Sequence, residues 1–324
     1  MLARSVLTLM VVLLALMGCK DDRPTPQPVQ VARSAARVEV EVSLAVKGGD
    51  VEAARQVLRR RFEALAKDKG SRLVESSVRH RGDLLVVHAV FEGGARCGDA
   101  NQGALKELVT RHASRSGRLA FHLVAPRERR DDLVRALQPL SATLPADGYG
   151  NFAGAYVPKL PHDKVVQRLA DLPAPNGYRM LPERPGENRW RAKKEQDAGI
   201  MVYLLLEKPD LTGRDVATAE VVFDGNTSEP YVSLDFTAEG GQRFATVTEA
   251  AVKRYLAIVF EGEVYSAPVI QEKISGGRAR ITLGRVGGPT KLLQQARDMV
   301  IMLQAGPLES SLTVEGINQM CTDP

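Results

Sequence analysis

The chain of 324 residues is short of the residue types that carry covalent or metal chemistry, with three cysteines and five histidines. It contains no Walker-type phosphate loop, no HExxH and no GxSxG. These absences remove the signatures of a P-loop nucleotide enzyme, a zincin protease and an α/β-hydrolase. The histidines are His80, His88, His112, His122 and His162. His88 and His122 fall on predicted strands that could be neighbours, which would make a two-His site; the alternative is isolated structural imidazoles. Carboxylates are plentiful, but no spacing converges a pair of them. There is no internal repeat. Beyond the first apolar run, no segment is long enough to cross a hydrocarbon core of about 30 Å. The expectation is therefore no enzyme activity, no cofactor and no metal.

What is present starts at the beginning of the chain. An apolar run from Val6 to Leu16 follows a lone Arg4 and ends in Leu16-Met17-Gly18-Cys19. As a helix the run would be roughly 16 Å long at about 1.5 Å per residue, too short to span. A charged start, a short apolar middle and small residues at the cut describe a cleaved signal over residues 1–18. The tetrad is similar to the lipobox of bacterial lipoproteins, which implies an acyl anchor on Cys19 and a membrane partner through that lipid. In the enteric sorting rule, Lys20 after the acylated cysteine leans towards the outer membrane. Residues 19–36 include Pro24, Pro26 and Pro28 and read as a semi-rigid tether. With Cys19 lipidated, Cys97 and Cys321 remain, an even pair in an oxidising space, so a bridge between them is expected; two free thiols is the alternative. The formal charge of +5 is modest. It fits anionic headgroups or acidic peptide segments, and nucleic acid is not an expected partner in that compartment. The run Arg59-Arg60-Arg61 reads as the solvated face of a helix.

Arg37 to Val46 alternates apolar and mostly polar residues, a half-buried strand. Asp50 can cap a helix whose Val51, Ala54, Leu58, Phe62 and Leu65 share one face. Strands follow at about 72–80 and 84–90. Asn101 opens a second helix, and 118–125 is a further strand. Strand, helix, strand, strand, helix, strand is the ferredoxin-like βαββαβ order, predicted over residues 37–125. Residues 126–199 are rich in Pro, Gly and charge, with short helices near 131–140 and 163–172. Strands resume at 200–206, 219–223 and 231–236, and Thr237 can cap a helix. A hairpin turns at Glu261-Gly262. Strands at 269–273 and 279–283 flank Ser275-Gly276-Gly277, read as a hairpin turn. A helix runs from Thr290 to Gln304, and a last strand spans 308–314. The class is α+β.

The stretch from Leu211 to Leu308 resembles the first periplasmic domain of SecD, a subunit of the bacterial SecDF protein-export complex. The matching residues are Leu211-Thr212-Gly213, Tyr231-Val232-Ser233-Leu234, Glu239-Gly240 with Phe244, and Tyr255-Leu256-Ala257-Ile258-Val259. The most specific piece is Ser266-Ala267-Pro268-Val269-Ile270-Gln271, followed by Gly276-Gly277-Arg278-Ala279 and Gln304-Ala305-Gly306. The resemblance implies a ferredoxin-like base carrying a head over residues 126–305, strongest at 211–305, with residues 306–324 returning to the base. It also implies polypeptide or partner binding near Ile270, Gln271, Gly276, Gly277 and Arg278. The sequence departs from the family near the first strand, where Ser43-Leu44-Ala45-Val46 lacks the family's Asp.

The expected function is a lipid-anchored periplasmic protein that binds unfolded or emerging exported polypeptides in Sec-dependent translocation, with no proton-driven motor of its own. Sec translocon components are the implied fixed partners. An assembly factor that docks on an envelope complex without touching clients is one alternative. A metal-dependent or hydrolytic enzyme is another.

Overall fold

The computed structural model describes residues 36–68, 70–92, 101–144, 151–184, 199–283 and 288–322. Cys19, the leader, the tether and Cys97 lie outside the described residues.

β1 (Arg37–Lys47) and α1 (Val51–Lys67) open the fold, followed by β2 (Leu73–Arg81), β3 (Leu84–Glu92) and α2 (Asn101–Ser114). β4 (Leu119–Leu123), α3 (Arg130–Ala136), β5 (Gly154–Val157), α4 (His162–Asp171) and β6 (Tyr178–Pro182) come next. Then come β7 (Ile200–Leu206), β8 (Leu211–Thr212), β9 (Val216–Phe223), β10 (Pro230–Phe236) and α5 (Ala238–Ala250). β11 (Leu256–Phe260), β12 (Glu263–Ser266), β13 (Arg278–Thr282), α6 (Gly288–Ala305) and β14 (Ser311–Thr322) complete it.

The expected caps are in place: the Asp50 carboxylate accepts from the Glu52 N–H at 2.8 Å, and the Thr237 hydroxyl accepts from Gly240 at 3.0 Å. The base is ferredoxin-like, as read from the sequence, and its antiparallel sheet has the order β14-β1-β3-β2. Val38, Val40, Val42 and Leu44 of β1 bury against Leu58, Phe62 and Leu65 of α1 and Val109 of α2. Burying a side chain of this size contributes roughly 1.5–3 kcal/mol each, which is what makes a helix with so many charges stay on the sheet.

The fourth strand of that base is not the one expected. Residues 118–125 leave the base: β4 pairs with β11 and β8. The reason is in its side chains. Leu119, Phe121 and Leu123 pack with Phe236 and Phe244 of the head. The place beside β1 is taken by β14, which runs from Ser311 to Thr322 rather than 308–314 and pairs along the whole of β1. The head is thus inserted between the second helix and the last strand of the base.

In the head, β13-β10-β9 forms a three-stranded sheet covered by α6. Residues 269–273 are not a strand of a hairpin with β13, because β13 pairs with β10 instead. The stretch 126–199, rich in Pro, Gly and charge, supplies β5 and β6, which flank β7. β4 continues through Val124, which bridges Leu205 of β7, and β6 continues through Glu183, which bridges Val264 of β12. The ring β4-β11-β12-β6-β7 therefore closes on itself, around Met201, Tyr203, Leu205, Val259 and Val264. His88 on β3 of the base and His122 on β4 of the ring are not neighbours, so the two-His site does not form.

α6 is shared. Its Leu292, Ala296, Met299 and Met302 lie in the head core, and its Ile301 lies in the base core. Asp298 of the same helix is buried and meets α2, with its carboxylate 3.2 Å from His112 Nε2 and 3.1 Å from Arg111 Nε. Burial raises the Asp298 pKa, but the hydrogen bond and charge of His112, with Arg111 and Gln294, more than offset it, so the carboxyl titrates below its ordinary range. A depressed folded-state pKa gives stability that is present above the unfolded value and is lost as pH falls through the folded one. Asp298→Asn is therefore expected to lower unfolding free energy by about 2 kcal/mol at pH 7. In denaturant titrations the gap to the parent closes as pH falls below the ordinary aspartate value of 3.8. A gap independent of pH would assign the loss to packing instead.

Candidate functional site

The chain passes from base to head at Ser116-Gly117-Arg118 and returns at Gly306–Ser310. The Leu308 N–H donates to the Ser116 carbonyl at 2.7 Å, which ties the two passages together. Beneath them sits Arg61 of α1, fully buried. Its guanidinium donates to the carbonyls of His112 at 3.2 Å, Ser116 at 2.8 Å and Gly306 at 3.4 Å, and to that of Arg115. Burial pushes the Arg61 pKa down to about 10, opposed by the charge of Glu261, so it stays protonated at neutral pH. On the opposite side, Glu261 in the β11–β12 turn accepts the backbone N–H groups of Ser116 at 3.0 Å and Arg118 at 3.1 Å and that of Gly117, plus the Ser116 hydroxyl at 2.7 Å. Gly117 has φ +72°, and a Cβ there would lie 2.5 Å from an Arg61 nitrogen. Only glycine fits both the backbone and the space.

Above this junction the closed ring opens into a cleft of about 580 Å³. Strand alternation puts Ala120 of β4, Leu181 of β6 and Val259 of β11 on the ring's inner face, where they make an apolar floor. Arg118, Arg179, Arg214, Glu261 and Glu309 stand around it. Most of this charge is committed. Glu261 is occupied by the backbone, Arg118 donates to the Glu309 carbonyl at 3.0 Å, and Arg214 pairs with the Glu309 carboxylate. Arg179 is exposed and forms no ion pair among the described residues. Behind the floor, His122 donates from Nδ1 to the Leu206 carbonyl at 2.8 Å. Burial lowers its pKa, the hydrogen bond to the Leu206 carbonyl opposes that, and the nearby Arg179 charge lowers it further, so it titrates below the ordinary imidazole value. An apolar floor beside one unspent cation suits a polypeptide segment carrying apolar side chains and a carboxylate or carbonyl. The Ser116 hydroxyl is engaged by Glu261, and no imidazole lines the cleft. Among the described residues no group of three or more His, Cys, Asp or Glu side chains is placed to hold a metal.

The residues singled out from the sequence lie elsewhere, on a strap along α5. Ile270 is in the head core, 4% exposed. Gln271 is exposed and accepts from Lys253 Nζ at 3.0 Å. Ile274 donates its N–H to the Thr248 hydroxyl at 2.9 Å. Gly276 is exposed. Gly277 has φ +63° and lies against Gly241, with its carbonyl accepting from Phe236 at 2.8 Å, so the pair is not a hairpin turn. Arg278 is exposed and pairs with Asp235 at 2.6 Å. Gly277 and Arg278 adjoin each other, but none of the five reaches the cleft. The arginine run is not one solvated face either. Arg59 pairs outward with Glu63, whereas Arg61 is buried. Its spacing of three from Leu58 and four to Leu65 was the available signal. Replacing Arg61 with Met should leave the Arg115 and Gly306 carbonyls without the guanidinium and the Ser116 carbonyl with the Leu308 N–H, and cost about 3 kcal/mol in chemical denaturation. An unchanged midpoint would show that the junction does not depend on it.

Residues 188–310 match the family model described as SecDF, P1 head subdomain. Protein translocase subunit SecD of Syntrophobacter fumaroxidans is 40% identical over 141 residues, 44% of this chain and 24% of that protein. Protein translocase subunit SecDF of Thermus thermophilus is 37% identical over 137 residues, 42% of this chain and 17% of that protein. The matched stretch thus spans a quarter or less of these relatives' length. A crystal structure of SecDF in its super-membrane-facing form superposes with a TM-score of 0.52 at 24% identity, covering 90% of this chain and 32% of that one. That likeness extends the shared fold over the base. The resemblance to SecD carried by Leu211–Leu308 therefore stands, and residues 188–310 are similar to the SecDF P1 head subdomain.

Proposed function

We propose that this chain is a lipid-anchored protein of the bacterial envelope that holds segments of exported polypeptide during Sec-dependent translocation. The observation that supports this most is the SecDF P1 head match over residues 188–310, on a fold that opens a peptide-sized cleft where head meets base. In this reading Ala120, Leu181 and Val259 receive apolar side chains and Arg179 receives a carboxylate or carbonyl. The role is binding rather than catalysis. Sec translocon components are the partners that deliver the client. In this reading the driving force comes from them.

The anchor is the acyl group on Cys19, and Lys20 directs the protein towards the outer membrane. A bridge from Cys97 to Cys321 fastens the base. Its support is that Cys321 lies opposite Val38 at the start of β1, where a cross-link would hold the end of the sheet. On non-reducing peptide mapping, a linked pair of fragments containing Cys97 and Cys321 is expected. Finding either thiol alkylated without reduction would remove the bridge from this reading.

The functional test is photocrosslinking in living cells, with the photoreactive residue at Arg179 or Leu181 and a control at Arg135. Exported precursors are expected on the first two and not on the control. Recovery of the same fixed envelope partner from every position, with no precursor, would replace client binding by an assembly role.

A further inference from the structure

β9 is an edge strand. It pairs with β10 on one side, and no described strand lies on the other. The alternation of an antiparallel ladder says which of its backbone groups face outward. Pro230, which has no N–H, stands opposite Phe223, and the Ala219 carbonyl is taken from outside by Gln304 Nε2 at 3.0 Å. The N–H and C=O groups of Ala219, Val221 and Phe223 therefore point away from β10. Gln304 of α6 occupies the first of these positions and gives β9 its only outer partner among the described residues. The stretch Val221–Phe223 remains open, and Phe223 is 56% exposed.

The edge has a wall. α6 covers the inner face of β9 and β10, and Val300 and Leu303 of the helix and Val216 and Val221 of the strand are all only partly buried against the head core. An extended segment laid beside β9 would find unpaired backbone on one side and apolar side chains of α6 beneath. On the outer face, Glu220 stands between Thr218 and Val222, exposed and without an ion pair among the described residues. Neighbouring strands put facing Cβ atoms about 4.5–5.5 Å apart, so a residue opposite Glu220 would be within pairing distance.

We infer that the β9 edge is a strand-addition site for an extended polypeptide whose apolar residues, directed at α6, alternate with a basic residue opposite Glu220. This rests on the reading that the domain holds exported polypeptide, and it adds a site separate from the cleft. Backbone pairing gives such a site tolerance of sequence, and the Glu220 charge gives it a preference.

The test uses the full purified chain and two fluorescein-labelled ten-residue peptides of alternating valine and threonine, one with lysine and one with glutamate at its centre, read by anisotropy. The lysine peptide is expected to bind more tightly. Glu220→Lys should reverse that preference, and Val221→Pro, which removes an outward N–H at an edge where proline is tolerated, should weaken both peptides by roughly five- to tenfold. Thermal unfolding checks that each variant is folded; if the proline variant is not, the charge reversal alone decides. Binding unchanged in preference by Glu220→Lys, but lost in Arg179→Glu, overturns the edge site and leaves the cleft reading standing. No binding of either peptide to the parent chain overturns both. A concentration-dependent dimer that Glu220→Lys alters, without peptide binding, assigns the edge to a second copy and overturns the proposal.

Discussion

A single buried cation holds the two passages between base and head in place. A guanidinium removed from water costs several kcal/mol unless its donors are used. Arg61 offsets that cost with backbone carbonyls rather than a carboxylate. Two of them, from His112 and Arg115, lie at and just past the end of α2, where carbonyls lack intrahelical partners and the helix dipole is negative. The others come from the outgoing passage at Ser116 and the returning one at Gly306. Glu261 does the complementary task from the head side by collecting the N–H groups of the outgoing passage. The exposed polarity of an irregular crossing segment is thus divided between a cation of the base and an anion of the head. Both Arg61 Nη groups and the Glu261 carboxylate find their partners in or next to these passages.

That division shapes the rest of the molecule. With the passages fixed, α6 can leave the head sheet and end against α1, where Arg60 Nε donates to the Ala305 carbonyl at 3.0 Å. One helix then contributes side chains to both cores. The contact between its middle and α2 is polar, built on Asp298, His112 and Arg111. Polar contacts between packed units are characteristic of interfaces that admit relative motion. The cleft lies beside this junction, lined at once by Ser116 and Pro307 from the passages, Glu261 from the turn and Leu181 from the ring. Its shape is therefore coupled to the angle between base and head.

Local pattern made some of this legible in the sequence and long-range pairing hid the rest. Period-two alternation in β1 and the caps at Asp50 and Thr237 correctly placed the elements they mark. The ferredoxin-like base was legible as an order of elements, but its fourth strand was not. Leu119-Ala120-Phe121-His122-Leu123 and Ser311–Thr322 are both able to form strands, and nothing local says which one pairs with β1. The choice is made by tertiary packing, through Phe121 against Phe236 and Phe244. β5 and β6 were missed because they are short, one containing Gly154 and one ending in Pro182, which mask the strand signal. The cleft was out of reach for the same reason: its floor draws one residue each from β4, β6 and β11. Arg61 is the instructive exception. Its charge suggested solvent, while its place in the Leu58–Phe62–Leu65 periodicity pointed inward.

The strap along α5 changes what the family resemblance can be used for. The residues that made it specific include Ile270 and Gly277, and both have architectural explanations. Ile270 fills the head core, and Gly277 allows backbone to lie against Gly241 at the start of α5. At Gly277 it is the φ of +63° rather than lack of space that favours glycine, and a polar side chain at Ile270 would be buried without a partner. Ile270 and Gly277 thus have structural roles in the strap along α5. Capacity to bind has to be sought where interactions remain unspent after the fold is complete. Among the described residues, Arg179 at the cleft and Glu220 with the open backbone of β9 are such places. One is a cation over an apolar floor and the other an anion beside a free sheet edge. They ask for different chemistry: apolar side chains with a carboxylate or carbonyl at one, and an extended backbone with a basic residue at the other.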